Sequence, residues 1–362
     1  MVKLGDACDI KNGRDHKKVN NPNGIYPIIG SGGIMGYADD YLCDKCATII
    51  GRKGSINNPI YVESKFWNVD TAFALCTKEA LDSKFFYYFC TIYNFEKHNK
   101  ATTLPSLTKT DLLEIQIPLP PLATQKRIAE ILDAADALRR KDHELLKKYD
   151  ELAQAIFIDM FGDPVKNEKG VSLNTLIKIN PTKSEIKIDD NDEVTFTPMS
   201  NIGEDGSFNN TEIRKYAQVK SGFTYFREDD VLFAKITPCM ENGKGAIAKE
   251  LKNGIGFGST EFHILRPNEN LNSQFLFHLT KLNSFRVFAE ANMTGSAGQK
   301  RVPTDFFKKI KIDTTRLEKQ DEFAKAMNIL LLQKHLINKD IIDSKNLFLT
   351  LIQKAFKGEL VS

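Results

Sequence analysis

Ile156-Phe157-Ile158-Asp159-Met160-Phe161-Gly162 and Leu351-Ile352-Gln353-Lys354-Ala355-Phe356-Lys357-Gly358 close two long amphipathic segments in the same way, on an aromatic and a glycine. The first segment runs from about Thr124 to Met160, and the second from about Glu318 to Ala355. Phe356 lies 195 positions after Phe161, and Gln320 lies 195 after Gln125, so segment length is held end to end. Upstream, Leu271-Asn272-Ser273-Gln274-Phe275-Leu276-Phe277 echoes Leu81-Asp82-Ser83-Lys84-Phe85-Phe86-Tyr87 at an offset of 190. Offsets that stay constant within elements and change between them are what duplication followed by loop divergence leaves behind. The chain therefore reads as one unit, a globular domain plus a long helix, used twice.

The first segment places Ile128, Ile131, Ala135, Leu138, Asp142, Leu145, Tyr149, Leu152 and Ile156 at alternating steps of three and four, the spacing of a coiled-coil seam. The second has Phe323, Met327, Leu330, Ile337, Ile341, Leu347 and Leu351 on its seam, with Asp340 and Ser344 weakening the stripe. Asp142 interrupts the first seam, at a cost in stability but with the capacity to fix register. The other faces of the first segment carry balanced charge, as on a solvated helix with one apolar stripe. Some 36 residues at 1.5 Å rise give a rod of roughly 54 Å.

A length of 362 residues fits two domains with connecting helices, and 41% hydrophobic with 27% charged residues is ordinary for a globular chain. The net charge of +3 gives no global basic field, so a nucleic-acid surface has to come from local clustering. The opening Met1-Val2-Lys3-Leu4-Gly5-Asp6 turns polar too soon for a secretory leader, and Ile329-Leu330-Leu331-Leu332 is too short to span a bilayer. The expected location is cytoplasmic, with no membrane partner. Six cysteines, five of them in the first quarter, form no disulfide framework. Cys43-x-x-Cys46 has no second ligand pair at zinc spacing, and the six histidines form no cluster, so no metal site is expected.

Outside the long helices the sequence is β-rich and punctuated by turns. Ile25–Ile29, Ala47–Ile50, Val194–Thr197 and Val231–Ile236 read as strands. Gly30-Ser31-Gly32-Gly33, Gly51-Arg52-Lys53-Gly54, Asn242-Gly243-Lys244-Gly245 and Gly254-Ile255-Gly256-Phe257-Gly258 read as glycine turns. Phe85–Phe89 reads as helix capped by Asp82-Ser83. A strand-like run, Leu112–Ile117, leads into Pro118-Leu119-Pro120-Pro121, a stiff exit from the first domain. Gly162-Asp163-Pro164 stops the first helix. The expected boundaries are 1–121, first domain; 122–162, central helix; 163–316, second domain; and 317–362, C-terminal helix. The fold class is α+β.

From Ile117 to Leu132 the sequence Ile-Pro-Leu-Pro-Pro-Leu-Ala-Thr-Gln-Lys-Arg-Ile-Ala-Glu-Ile-Leu resembles the specificity subunit of type I restriction–modification systems. In that family a target recognition domain runs into such a proline-rich junction and then a long helix, and the unit occurs twice. Gly32–Tyr37, Ile50–Gly54 and Phe233–Pro238 are similar to recurring phrases of the family. Leu104–Leu107 and Gly298–Val302 occupy its turn before the exit strand. The second junction, Ile312–Gln320, departs from the pattern in having no prolines. The resemblance implies two recognition domains separated by antiparallel long helices with pseudo-two-fold symmetry, each domain reading half of a bipartite double-stranded DNA target. It also implies a chain without catalysis of its own. Two methyltransferase subunits would dock on the helices and restriction/translocase subunits would join the complex, with methyl donor, ATP and Mg held only by those partners.

Base reading needs amide, hydroxyl or guanidinium groups on loops, and phosphate contacts favour lysine, arginine and backbone amides. In the first domain Arg52, Lys53, Ser55, Asn57 and Asn58 share one glycine-bounded loop, and Lys97, Lys100, Thr102, Thr103 and Ser106 form a second polar run. In the second domain Lys235, Thr237, Glu241, Asn242 and Lys244 follow a strand, and Asn292, Thr294, Ser296, Gln299, Lys300 and Arg301 precede the last one. Without the repeat these would be ordinary solvated loops. Two other readings compete. Asn58-Pro59-Ile60-Tyr61 is similar to the catalytic tetrapeptide of DNA adenine methyltransferases, but Ile60 replaces the second proline and no methyl-donor turn accompanies it. A coiled-coil scaffold with no DNA role would account for the helices, but not for two large, dissimilar domains.

Overall fold

The structure, a computed structural model, describes residues 1–99, 105–208, 212–296, 298–312 and 317–361. It divides into two compact units, Met1–His143 with Asn338–Ser362, and Glu144–Ile337. The division falls inside both long helices, so each unit contains the start of one helix and the end of the other.

In the first unit β1 (Val2–Lys3) and α1 (Leu4–Ala7) lead into β2 (Cys8–Asn12), β3 (Tyr26–Gly30), β4 (Gly33–Ala38) and β5 (Ala47–Gly51). Then come β6 (Ile60–Val62), β7 (Trp67–Asn68), β8 (Ala72–Thr77), α2 (Ser83–Ile92), α3 (Lys109–Leu113), β9 (Gln116–Ile117) and the long helix α4 (Leu122–Phe161). The second unit runs through β10 (Val171–Ser172), β11 (Ile177–Ile179), β12 (Glu193–Thr197), β13 (Glu212–Lys215), α5 (Tyr216–Val219), β14 (Thr224–Arg227) and β15 (Val231–Ala234). It continues with β16 (Gly245–Ile247), β17 (Ile255–Gly258), β18 (Phe262–Pro267), α6 (Ser273–Lys281), α7 (Asn283–Ala291), β19 (Lys311–Ile312) and α8 (Leu317–Lys357).

The strand orders repeat. One sheet is ordered β2-β8-β5-β6 in the first unit and β11-β18-β15-β16 in the second. The other is β4-β3-β7 and β13-β12-β17-β14, with parallel pairs β3–β7 and β12–β17 in matching places. Strand β14 is an addition of the second unit. Short ladders, β1–β9 and β10–β19, tie the ends of each domain together.

Local chemistry explains most of these elements. Asp82 caps α2 by accepting hydrogen bonds from the Lys84 and Phe85 amides, and Phe85, Phe86 and Phe89 turn into the core. Two expectations need correction. The Leu112–Ile117 run is not a full strand: Thr108 caps a short helix, α3, and only Gln116 and Ile117 pair. Glycine-rich Gly254–Gly258 is not simply a turn, because Ile255–Gly258 forms β17. A Cβ on Gly256 would stand 2.1 Å from the Phe226 ring, so glycine there serves close packing rather than reversal.

Each long helix is pinned at its start by a buried glutamine. Gln125, 0% exposed, accepts from the Asp82 amide at 2.8 Å and donates to the Ala80 and Pro120 carbonyls at 3.0 and 2.8 Å. Gln320, 2% exposed, accepts from the Asn272 amide at 2.8 Å and donates to the Asn270 carbonyl at 3.2 Å. The helix ends are held by the aromatic pairs that the repeat implies. Phe356 packs on Phe85 with ring centres 5.0 Å apart, and Phe161 on Phe275 at 4.8 Å.

The helices pack antiparallel within each unit. In the first, the Arg139 guanidinium lies 5.1 Å from the Phe348 ring centre, and Ser344 donates to Asp142 at 2.8 Å. Two of the three polar interruptions of the expected seams, Asp142 and Ser344, are therefore one hydrogen bond, and the third, Asp340, is exposed. In the second unit Phe157 meets Phe323, and Lys334 pairs with Asp150 at 2.7 Å. The seam differs from a strict heptad. Ile128, Ala135, Phe323, Met327 and Ile337 are buried, and Ile131, Ile156, Leu330 and Leu351 are partly so, but Leu138, Leu145, Leu152 and Leu347 are exposed. A straight helix drifts by about 20° per heptad against a 3.5-residue repeat. The stripe also has to cover the domain core as well as the partner helix, and Leu132, Phe157, Phe348, Ile352 and Ala355 take those buried places. Among the described residues, no helix is long and apolar enough to cross a membrane.

Candidate functional site

In the first unit β5 ends at Gly51, where a Cβ would stand 2.4 Å from the Ser55 carbonyl oxygen. The chain turns there through Gly54 (φ +79°) and is anchored by the buried Ile56 side chain. Arg52, Lys53, Ser55, Asn57 and Asn58 are left at least partly exposed around that anchor. The second polar run is brought alongside. The Gly54 amide donates to the Pro105 carbonyl at 3.0 Å, Lys53 bridges Ser106, and the Leu107 amide donates to the Arg52 carbonyl at 2.9 Å. Lys100, Thr102 and Thr103 lie outside the described residues. Asn57 is engaged by the fold, since its side chain accepts from the Phe95 amide at 2.8 Å and donates to Asn94 at 3.3 Å.

A third loop, not singled out by the sequence pattern, joins these two. The Gly13 amide donates to the Ala72 carbonyl, and the Arg14 amide to the Asn68 carbonyl at 3.0 Å. This places the exposed Arg14 at the turn between β7 and β8, with exposed Lys17 and Lys18 three and four residues further along the chain. The Arg52 amide reaches the same turn, donating to the Thr71 carbonyl at 2.8 Å. The run Arg14-Asp15-His16-Lys17-Lys18 was the available signal. Arg52, Lys53, Arg14, Lys17 and Lys18 make no ion pair among the described residues; Arg52 lies 5.8 Å from the Phe73 ring centre.

The second unit rebuilds this frame with different side chains. The Lys235 amide donates to the Glu261 carbonyl at 2.9 Å, and the Val302 amide to the Lys235 carbonyl at 2.9 Å. Ile236 bridges Arg301 as Lys53 bridges Ser106. Lys235 thus occupies the place of Arg52, and Glu261 that of Thr71. Arg301 forms a two-pronged pair with the Glu261 carboxylate at 2.9 and 2.7 Å. Burial lowers the Lys235 ammonium from its ordinary value, with Glu261 opposing. The Arg301 hydrogen bonds hold the Glu261 carboxyl below its usual range.

The remaining candidates of this unit are partly committed to the fold. Asn242 donates to Glu204 at 2.8 Å, Lys244 to the Met199 carbonyl at 3.5 Å, and Asn292 to the Phe288 carbonyl at 2.8 Å. The Thr237 amide donates to the Lys300 carbonyl at 3.1 Å, joining the two candidate loops. Ser296, Gln299 and Lys300 are exposed. Lys281 donates to the carbonyls of Gly243, at 2.7 Å, and Glu204; burial brings its pKa down to about 8. Arg286 holds the Glu241 carbonyl at 3.2 Å. Lys281 and Arg286 lie on helices, α6 and α7, outside the polar loops, so nothing in the loop sequence announced them.

The Asn58–Tyr61 tetrapeptide is not displayed as a catalytic loop. Ile60 and Tyr61 belong to β6, and the Tyr61 hydroxyl is 3.0 Å from Ser83 Oγ with its ring against Tyr87. Among the described residues no three His, Cys, Asp or Glu side chains are grouped to hold a metal.

The family model described as "Type I restriction modification DNA specificity domain" matches residues 1–151 and 164–358. The chain is 45% identical over 140 residues to the type I restriction enzyme EcoEI specificity subunit of Escherichia coli, a match covering 38% of this chain and 23% of that protein. It is 44% identical over 153 residues to the EcoAI specificity subunit of the same organism, covering 41% and 26%. The chain thus spans about a quarter of these curated relatives. Among solved structures, the type I restriction–modification S subunit from M. genitalium matches with TM-score 0.56 and 17% identity, over 98% of this chain and 95% of that one. A chain solved in work on complex assembly and conformational transition of the type I system matches with TM-score 0.55 and 17% identity, over 99% and 97%. Both show a shared fold.

Proposed function

Given that the chain belongs to the family of type I restriction–modification DNA specificity domains, we propose that it selects the target of such a complex, each unit reading one half of a bipartite double-stranded DNA sequence. The observation that carries this is the shared frame around Arg52 and Lys235. Identical backbone hydrogen bonds hold two equivalent positions, and the side chains presented there differ. A common frame with different readers is what two unlike half-sites require. Phosphate contact falls to the exposed lysines and arginines, and base contact to the polar loop residues between them.

The long helices have two further roles in this reading. Forty and forty-one residues at 1.5 Å per residue give rods of about 60 Å, long enough to leave unread bases between half-sites about 34–36 Å apart, one turn of duplex. The helices also leave Leu138, Leu145, Leu152, Ile329, Leu332 and Leu336 exposed. Large apolar side chains along a charged helix suit a protein partner, here two copies of a methyltransferase subunit. Translocase–nuclease subunits would join through that assembly. The chain itself is non-catalytic in this reading, and methyl donor, ATP and Mg belong to the partners.

The test is to map modified adenines in a host genome with and without this chain, and to measure mobility shifts on the mapped sequence with the companion methyltransferase. A bipartite motif that disappears with the chain supports the reading. Unchanged modification, or no shift on any mapped sequence, overturns it and leaves the scaffold.

A further inference from the structure

The tip of the hairpin formed by β3 and β4 in the first unit joins no core cluster among the described residues. It carries Ile34 and Met35, 63% and 61% exposed. Strand β7 pairs only with Ile28 and Ile29, so past Ile29 the sheet narrows to a ribbon of two strands, closed by Gly30 opposite Gly33. Gly33 has φ +120°, and a Cβ at Gly32 or Gly33 would meet nothing, so the tip is thin and uncovered there. The Met35 sulfur lies back over Gly30, 2.5 Å from where a Cβ would stand. Ile34 is left as the leading apolar group.

The neighbours of the tip are cationic. Ser31 Cβ lies 3.1 Å from the Cβ position of Gly51, at the root of the Arg52 loop, and Val69 lies 3.5 Å from that of Gly30. Arg14, Arg52 and Lys53 hang from loops hydrogen-bonded to the same Asn68–Ala72 turn, with Lys17 and Lys18 following Arg14 in sequence, against Asp15 and Asp70. A bulge at Ile28/Ile29 twists the β4 edge and opposes addition of a further strand from a protein partner. An apolar point rooted beside cationic loops complements a polyanion with an apolar feature inside its groove. The major groove, about 12 Å wide, admits a two-stranded ribbon, whereas the minor groove at about 6 Å does not; the apolar feature of the major groove is the thymine methyl group.

We propose that the β3–β4 tip enters the major groove and that Ile34, backed by Met35, reads the C5-methyl group of a thymine while the surrounding cations hold the phosphates. This rests on the reading of the chain as a DNA specificity subunit. The experiment uses the full chain with its companion methyltransferase on the mapped target, each thymine replaced in turn by deoxyuridine, which lacks only the methyl group. The wild-type complex is expected to lose about fourfold in affinity at one or two positions confined to one half-site, the worth of a buried methyl. Ile34→Ser should bind thymine and uracil duplexes equally at those positions. Val287→Ser, another exposed apolar site, should keep the wild-type sensitivity. Circular dichroism and melting check that each variant is folded. Binding with no uracil-sensitive position, or sensitivity undiminished in Ile34→Ser, overturns the methyl contact and leaves the function standing. A wild-type complex that binds no mapped target overturns both.

Discussion

Arg52 and Lys235 sit in the same backbone frame, yet among the described residues one is a cation without an ion pair and the other lies beside a carboxylate. In the first unit the carbonyl that receives the Arg52 amide belongs to Thr71. In the second the matching carbonyl belongs to Glu261, whose side chain is gripped by Arg301. The same divergence runs into the core. Counting back from the paired ends Gly51/Ala72 and Ala234/Phe262, Cys76 and Ala47 stand where the second unit has Arg266 and Asp230. There Arg266 and Asp230, 6% and 1% exposed, form a two-pronged pair at 2.7 Å. Duplication preserved the hydrogen-bonded frame, which any sequence can make, and left the side chains free to change in compensating sets.

The largest test of that contrast is Asp230→Ala. Removing Asp230 leaves the buried Arg266 guanidinium with only the Glu185 carboxylate, 2.5 Å from it on the exposed side, at a cost of about 3 kcal/mol, whereas Cys76→Ala should cost about 1 kcal/mol. Chemical denaturation with hydrogen exchange should show the first loss concentrated in Glu144–Ile337. Equal losses would break the comparison. Next come the pinning glutamines. Gln125→Ala and Gln320→Ala each strand a backbone amide, and each should lower stability by about 1–3 kcal/mol. Thermal melts that differ by more than that range would deny the two pins equivalence.

On DNA, Arg52→Ala should lower the slope of log affinity against log salt by about 1. Lys235→Ala should lower it less, because Glu261 already offsets that charge; salt titrations of the assembled complex compare the two. The smallest effect belongs to the partly exposed Glu261–Arg301 pair, which solvent screens. Since the Glu261 pKa is lowered, its contribution is present above the ordinary value of 4.5 and is lost as pH falls through the lowered one. Glu261→Gln should flatten stability across that acid window while freeing Arg301 and raising DNA affinity. A melt-against-pH curve identical to wild type would show that the pair contributes nothing.

The long helices were legible to within two or three residues at each end, because a 3.6-residue apolar period over forty residues has no strand counterpart. Asp82 as a cap was legible for the same kind of reason, since its chemistry is local. What the period could not show was which stripe faces what. Leu138 and Leu145 satisfy the heptad yet face solvent, while Leu132 and Phe348 are buried by the domain and partner helix. The candidate loops were legible as polar runs between glycines. Their engagement was not: Asn57, Asn242 and Arg301 look like readers in sequence, and hydrogen bonds to Phe95, Glu204 and Glu261 tie them to the fold. Arg14 was missed because its loop joins the site only through the turn at Asn68 and Ala72, more than fifty residues away.

The sharing of each helix between two compact units has a consequence for severed chains. A fragment ending at Gly162 would keep Phe85 and Phe89 but lose Phe356, which covers both at 5.0 and 5.7 Å. It would also carry, on its own last turn, Phe161, the counterpart of the missing ring. Two such halves can therefore complete one another by exchange of tails, giving a symmetric dimer whose two domains are identical.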